Sequence, residues 1–198
     1  IVFHLTASVT RRAESAWVFY SLEGEQAVNS ARADFSGQKT ITASWVWNVQ
    51  PGAMPPGAKV FYHWVLEDTE GNRAESAENS FEYVDSRFNW QMLEEDLLRV
   101  YYYSDKKTAL CVLDAASRAL ERIEKDVGAG SDQPIRVYIY ASKGDMALAI
   151  PLRSETFDTR TVTLGMSRSS EALVLLGKGK GLTNTVAHEL CHVVVHRA

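Results

Sequence analysis

The spacing of apolar residues changes partway along this chain of 198 residues, and that change constrains the fold more than any other feature. In the first 90 residues apolar and polar residues alternate, most clearly at Ala58, Val60, Tyr62, Trp64 and Leu66. A period of two is typical of a half-buried β-strand. Beyond residue 105 the period lengthens to that of an amphipathic helix. The pattern therefore predicts an α+β protein whose two halves differ in secondary structure.

The first half contains all five tryptophans and several short strand-like segments. Turn-forming residues separate these segments, as in the run from Asp68 to Asn72. Short aromatic strands with turns at this spacing predict an antiparallel β-sandwich. We place this all-β sandwich domain at residues 1–86 and a second, α+β domain at residues 87–198. The expected strands of the first domain are residues 1–9, 16–22, 40–47, 58–67 and 80–84.

The second half contains one long predicted helix at residues 106–127. Apolar residues recur there in steps of four and three, at Ala109, Leu113, Ala116, Leu120, Ile123 and Val127. Ser104 or Asp105 can cap its start, and Gly128 can end it. A last helix is expected to begin at Thr183 or Asn184. The other elements expected here are strands at 97–103, 135–140, 161–165 and 172–176, and a short helix at 145–149.

Composition excludes some classes of function. The net charge is −4 and no long block of like charge occurs, so we expect no nucleic-acid partner. No apolar run reaches the roughly 20 residues that span a bilayer, so we expect no membrane span. The two cysteines, Cys111 and Cys191, lie in apolar helical stretches and are expected to be buried free thiols.

The last predicted helix contains the motif H-E-x-x-H at residues 188–192. Residues four apart lie on one face of a helix, so His188 and His192 can both bind one Zn²⁺ at about 2.0–2.1 Å. Glu189 lies about 100° around the helix and can act as the general base that takes a proton from an activated water. The alternative is a structural helix with hydrogen-bonded core histidines, but unpaired imidazoles and a carboxylate are costly to bury.

His196 continues the same stripe of the helix. It lies eight residues after His188, which is a rise of about 12 Å at the 1.5 Å per residue of an α-helix. One metal ion does not bridge that distance on a straight helix. We therefore expect His196 to lie outside the coordination shell.

These residues resemble a known family. Residues 185–194 fit the zincin signature, and the order of elements from residue 97 onward is similar to the gluzincin clan of zinc metallopeptidases, in particular to bacterial peptidase MA-like domains. Residues 55–72 resemble a bacterial immunoglobulin-like or fibronectin type III-like domain. Residues 81–83 and 87–90 look like the joint that couples such a sandwich to the peptidase domain.

The resemblance implies a zincin-like second domain whose third zinc ligand is a glutamate on a later helix. That helix would follow Ala198, so this chain would hold only the first part of the peptidase domain. The upstream carboxylates of Glu155, Asp158 and Glu171 match no ligand pattern. The resemblance also implies that residues 161–165 form an edge strand that pairs with an extended peptide substrate.

The sequence thus predicts a zinc-dependent peptidase that acts on a peptide or protein substrate. By analogy with similar domain architectures, an extracellular or cell-envelope location is expected. The alternative is a non-catalytic binding or cell-surface protein whose peptidase domain is degenerate or incomplete. In another alternative, the chain is an interaction module and the motif helix is purely structural.

Overall fold

The computed structural model describes residues 1–128, 133–149, 163–165, 172–178 and 181–197. This part of the chain is α+β, with antiparallel and mixed sheets and three helices. Residue contacts divide the chain into two units. Unit 1 consists of Ile1–Gln50 and Lys59–Glu82, and unit 2 of Pro51–Ala58 and Tyr83–Ala198. The division expected after residue 86 stays a prediction.

Unit 1 consists of two antiparallel sheets. Its strands are β1 (Val2–Ser8), β2 (Ala13–Leu22), β3 (Asn29–Arg32), β4 (Asp34–Ser36), β5 (Thr40–Val46), β6 (Lys59–Asp68), β7 (Arg73–Glu75) and β8 (Asn79–Glu82). One sheet has the order β1-β5-β4 and the other β3-β2-β6-β7, with β8 also paired to β6.

Aromatic side chains fill the space between these two sheets. Phe3 of β1 is buried, and its ring centroid lies 5.0 Å from that of Tyr62 and 6.1 Å from that of Tyr20, both on the other sheet. Val18 and Val60 are buried completely beside them. The alternation read from the sequence therefore corresponds to an inner and an outer face of each sheet.

Unit 2 is built on one five-stranded mixed sheet. Its strands are β9 (Gln91–Glu95), β10 (Leu98–Tyr102), β11 (Ile135–Tyr140), β12 (Thr163–Gly165) and β13 (Ala172–Leu176). The order is β12-β13-β11-β10-β9. The three central strands are parallel, and the strand at each edge is antiparallel to its neighbour.

Four strands were not predicted from the sequence, namely β3, β4, β7 and β9. All four lie at sheet edges and consist mainly of exposed polar residues; every residue of Arg73–Glu75 is exposed. Such strands are held by main-chain hydrogen bonds to one neighbour and show no apolar alternation. A prediction based on the periodicity of apolar residues therefore does not detect these four strands.

Three helices accompany the described strands of unit 2, namely α1 (Lys106–Val127), α2 (Lys143–Ala147) and α3 (Leu182–Arg197). The bounds predicted for α1 are confirmed. The Asp105 carboxylate accepts hydrogen bonds from the amides of Lys107 and Thr108, and Gly128 ends the helix with φ of 67°. None of the helices in the described ranges is both long and apolar enough to span a membrane.

Helices α1 and α3 cover one face of the mixed sheet. The core between them is continuous and includes Val100, Val137, Leu173, Val112, Ala116, Val186, Leu190 and Val194. The burial predicted for the two cysteines is wrong, because Cys111 and Cys191 are exposed free thiols. Cys111 lies about 200° around α1 from the buried Ala109, and Cys191 about 100° from the buried Leu190.

The other face of the mixed sheet is covered largely by aromatic residues and by residues 51–58. Phe88 stacks on Tyr103 with ring centroids 4.0 Å apart. Gly57 has φ of +84°, and a Cβ added there would lie 3.0 Å from Ala172 Cβ and 3.3 Å from Tyr138 Cε2. Both the backbone conformation and the close approach therefore require glycine.

A buried carboxylate, that of Asp85, connects the elements on this face. Arg87 donates two hydrogen bonds to it from Nε (2.8 Å) and Nη2 (2.6 Å), and the Tyr140 hydroxyl donates a third at 2.7 Å. Burial alone raises the pKa of Asp85, but the hydrogen bonds from Arg87 and Tyr140 outweigh it and hold the pKa below its usual range. The ionised form is therefore part of the folded structure.

Replacing Asp85→Asn should lower the free energy of unfolding by about 2 kcal/mol, because Arg87 and Tyr140 lose a charged acceptor. Urea denaturation at neutral pH measures this change. Asp114→Asn removes a carboxylate from an exposed pair with Arg118, and this control should cost less than about 0.5 kcal/mol. Equal losses in the two variants would contradict the structural role of Asp85.

The comparison of the wild type with Asp85→Asn also gives a prediction about pH dependence. Since the pKa of Asp85 is lower when folded than when unfolded, its contribution is complete above the ordinary carboxyl pKa of about 3.9 and is lost as pH falls through the folded value. The stability difference between the wild type and Asp85→Asn should therefore be constant near neutral pH and shrink below about pH 4. Denaturation midpoints across that range test the expectation, and a difference that grows on acidification opposes it.

Candidate metal centre

The buried side of helix α3 determines on which side of the helix the motif residues lie. Val186, Leu190 and Val194 have no exposed surface and pack into the core of unit 2. His188 lies about 160° around the helix from Leu190. His188 and His192 consequently lie on the exposed side of the helix.

The two imidazoles converge. His188 Nε2 and His192 Nε2 are 3.1 Å apart, with ring centroids separated by 4.7 Å and planes at 89°. Two nitrogen atoms at this separation, each about 2.0–2.1 Å from a common metal ion, subtend an angle of about 100° at that ion, close to tetrahedral. The separation is also that of a hydrogen bond between two neutral rings, in which one nitrogen donates and the other accepts.

Glu189 differs from the two histidines in its burial. It is 7% exposed, one of three buried polar residues in the described part of the chain. Asp85, another of the three, receives hydrogen bonds from Arg87 and Tyr140. No described side chain forms an ion pair with Glu189. A carboxylate in this position gains free energy from a nearby cation or a polarised water.

A third metal ligand is not apparent in the described ranges, where no three His, Cys, Asp or Glu side chains form a group suited to a metal ion. Glu155, Asp158 and Glu171 lie outside the described residues. His196 belongs to α3, but its side chain is also outside them. The described residues add no further side chain to the three that the sequence singled out.

Strand β12 lies at the edge of the described sheet and pairs antiparallel with β13. Residues of β12 also contact helix α3. An edge strand therefore lies beside the motif helix, within the segment expected to be one. Pairing of the outer edge of β12 with a peptide stays a prediction.

Comparison with known proteins gives little likeness. No family model matches the chain, and no curated protein matches it. Among solved structures, the chain is similar to a purple acid phosphatase from seeds of yellow lupin (Lupinus luteus), with 11% identity and a TM-score of 0.31. The match covers 70% of this chain and 27% of the phosphatase. A likeness of this size does not place the chain in that family.

The assignment to gluzincin-type peptidases, with a peptidase MA-like domain after an immunoglobulin-like or fibronectin type III-like domain, is wrong. No model of these families matches the chain. The three-ligand group of a gluzincin is also absent from the described residues. The likeness rested on a five-residue motif and on the order of elements, which unrelated proteins share.

The geometry of the histidine pair leads to a binding prediction. Zinc should bind the chain, and His188→Ala or His192→Ala should weaken binding at least about tenfold, since loss of even an outer partner of a ligand costs about 10- to 100-fold. Competition with a chromophoric chelator measures the affinity. His4→Ala, an exposed histidine of β1 in unit 1, is the matched control and should bind zinc as the wild type does. Equal affinity in all four proteins would contradict the site.

Proposed function

We propose that this protein is a zinc-dependent hydrolase of peptide bonds, with His188 and His192 as metal ligands and Glu189 as the general base. The observation that carries the proposal is the convergence of the two Nε2 atoms, 3.1 Å apart, on a helix that also carries the buried Glu189. A structural helix has no need for two exposed imidazoles directed at one point. The H-E-x-x-H spacing supplies the same three groups in the order that metal-assisted hydrolysis uses.

Each residue has a distinct task in this proposal. His188 and His192 would hold a zinc ion from consecutive turns of a helix that is anchored in the core. The ion would supply Lewis acidity, which makes water nucleophilic near neutral pH. Glu189 takes a proton from the attacking water and donates it to the leaving amine.

A second candidate is a non-catalytic binding protein, in which unit 1 is an accessory sandwich and unit 2 a scaffold. One observation favours it: the described residues offer two clustered ligands, whereas a catalytic zinc usually has three protein ligands and a water. The two candidates differ in what happens once zinc is bound. Only the hydrolase needs Glu189.

Hydrolysis of an unstructured protein such as casein, or of a quenched fluorescent peptide library, should require zinc. Glu189→Gln should lower the rate by about 10²- to 10⁴-fold, the usual contribution of a general base, while zinc affinity stays near that of the wild type. Glu121→Gln on the exposed side of α1 is the control and should retain full activity.

Retained activity in Glu189→Gln would overturn the proposed role of that residue. Zinc binding without hydrolysis of any peptide favours the binding protein. A folded chain that binds no zinc removes both the metal centre and the proposed hydrolase.

A further inference from the structure

Unit 1 contains a cleft of about 830 Å³ that is remote in sequence from the motif helix. It is lined mainly by the connection between β1 and β2 (residues 9–12) and the turn between β4 and β5 (residues 37–39), with Thr69 of the β6–β7 connection. This volume lies within the range of about 300–1,000 Å³ that is typical of ligand sites. Connections at one end of a sheet pair commonly carry binding functions.

The wall of the cleft is held in place by the backbone. The amide of Val9 donates a hydrogen bond to the carbonyl oxygen of Lys39 at 2.9 Å, which ties the two main connections together. Gly37 has φ of +100°, and a Cβ there would overlap the carbonyl oxygen of Thr40. The main chain of the turn that carries Lys39 is therefore tight, and it loses little conformational freedom when a ligand binds.

The cationic side chains of the cleft differ in their pairing. Arg11 is paired with Glu70 and, at 3.7 Å, with Asp68. Arg12 and Lys39 are exposed, and within the described part of the chain neither forms an ion pair. Glu14 lines the same cleft. The cleft thus offers two unpaired cations and one carboxylate.

We propose that this cleft binds an acidic peptide segment, whose carboxylates pair with Arg12 and Lys39. A guanidinium binds a carboxylate through paired hydrogen bonds, and an ammonium attracts a second one. The side chains of Thr10, Ser36 and Gln38 also line the cleft and supply hydroxyl and amide groups that match the main chain of a peptide.

The mixed charge of the cleft favours a peptide over a dense polyanion. Glu14 repels a ligand that carries a negative charge on every unit, but it accepts a hydrogen bond from a peptide amide. The net charge of the chain, −4, adds to the repulsion of a polyanion. A ligand with spaced carboxylates can place an uncharged main-chain amide beside Glu14, and it carries less charge for the chain to repel.

The test uses the full chain and a capped short peptide of alternating glutamate and glycine, with isothermal titration as the readout. The double variant Arg12→Gln with Lys39→Gln should bind it about tenfold more weakly, since exposed charge pairs contribute modestly one by one. The matched control, Arg118→Gln with Lys125→Gln, removes the same charge from the exposed side of α1 in unit 2. Its affinity should equal that of the wild type.

Glu14→Gln removes the repulsion between the Glu14 carboxylate and the ligand's carboxylates but keeps an oxygen that can accept from a peptide amide, so it should strengthen binding; it also decides the question if the double variant fails to fold. An analogue with glutamine in place of glutamate should not bind. Absence of peptide binding by the wild type, or equal weakening in the control, overturns the proposal. Tripolyphosphate that binds more tightly than the peptide, in an Arg12- and Lys39-dependent way, also overturns it and identifies a small-anion site.

Discussion

The complete burial of Val186, Leu190 and Val194 against α1 and the mixed sheet is the contact on which the candidate metal centre depends. A helix with a fixed buried stripe has a fixed exposed side, because side-chain directions follow from the 100° step. The two imidazoles therefore point away from the core without any contact designed for them. Burial of Glu189 follows from the same rotation, because residue 189 lies at the border between the buried stripe and the exposed side of the helix.

The two faces of the mixed sheet in unit 2 are covered by different kinds of side chain. Its central parallel strands bury both faces, so apolar residues occupy consecutive positions such as those of Ala172–Leu176. Helices α1 and α3 cover one face by aliphatic packing. Aromatic side chains lie on the other face, and some of them carry polar atoms. One such atom is the hydroxyl oxygen of Tyr140, whose proton needs a hydrogen-bond acceptor. Asp85 is that acceptor, and Arg87 neutralises it.

Structural features that depend on neighbouring residues were predicted correctly from the sequence, whereas features that depend on distant segments were not. Helix α1 has the predicted ends because Asp105 and Gly128 act within one turn. Edge strands such as β7 have no apolar pattern, since their stability comes from a neighbour's main chain. The motif at residues 188–192 indicated the converging histidines, because helical spacing alone brings them together. The family assignment failed since it requires ligands from distant segments, which five residues do not specify.

The placement of residues 51–58 in unit 2, between two stretches of unit 1, means that the chain passes from one unit to the other three times. A fragment that ends at residue 86 therefore contains residues 51–58 without most of the unit to which they belong. Met54 and the two prolines after it, buried in the intact protein, would face water in the excised fragment and promote its aggregation. Insertion or permutation is better tolerated at exposed hairpin tips, such as residues 70–71, than near residue 86.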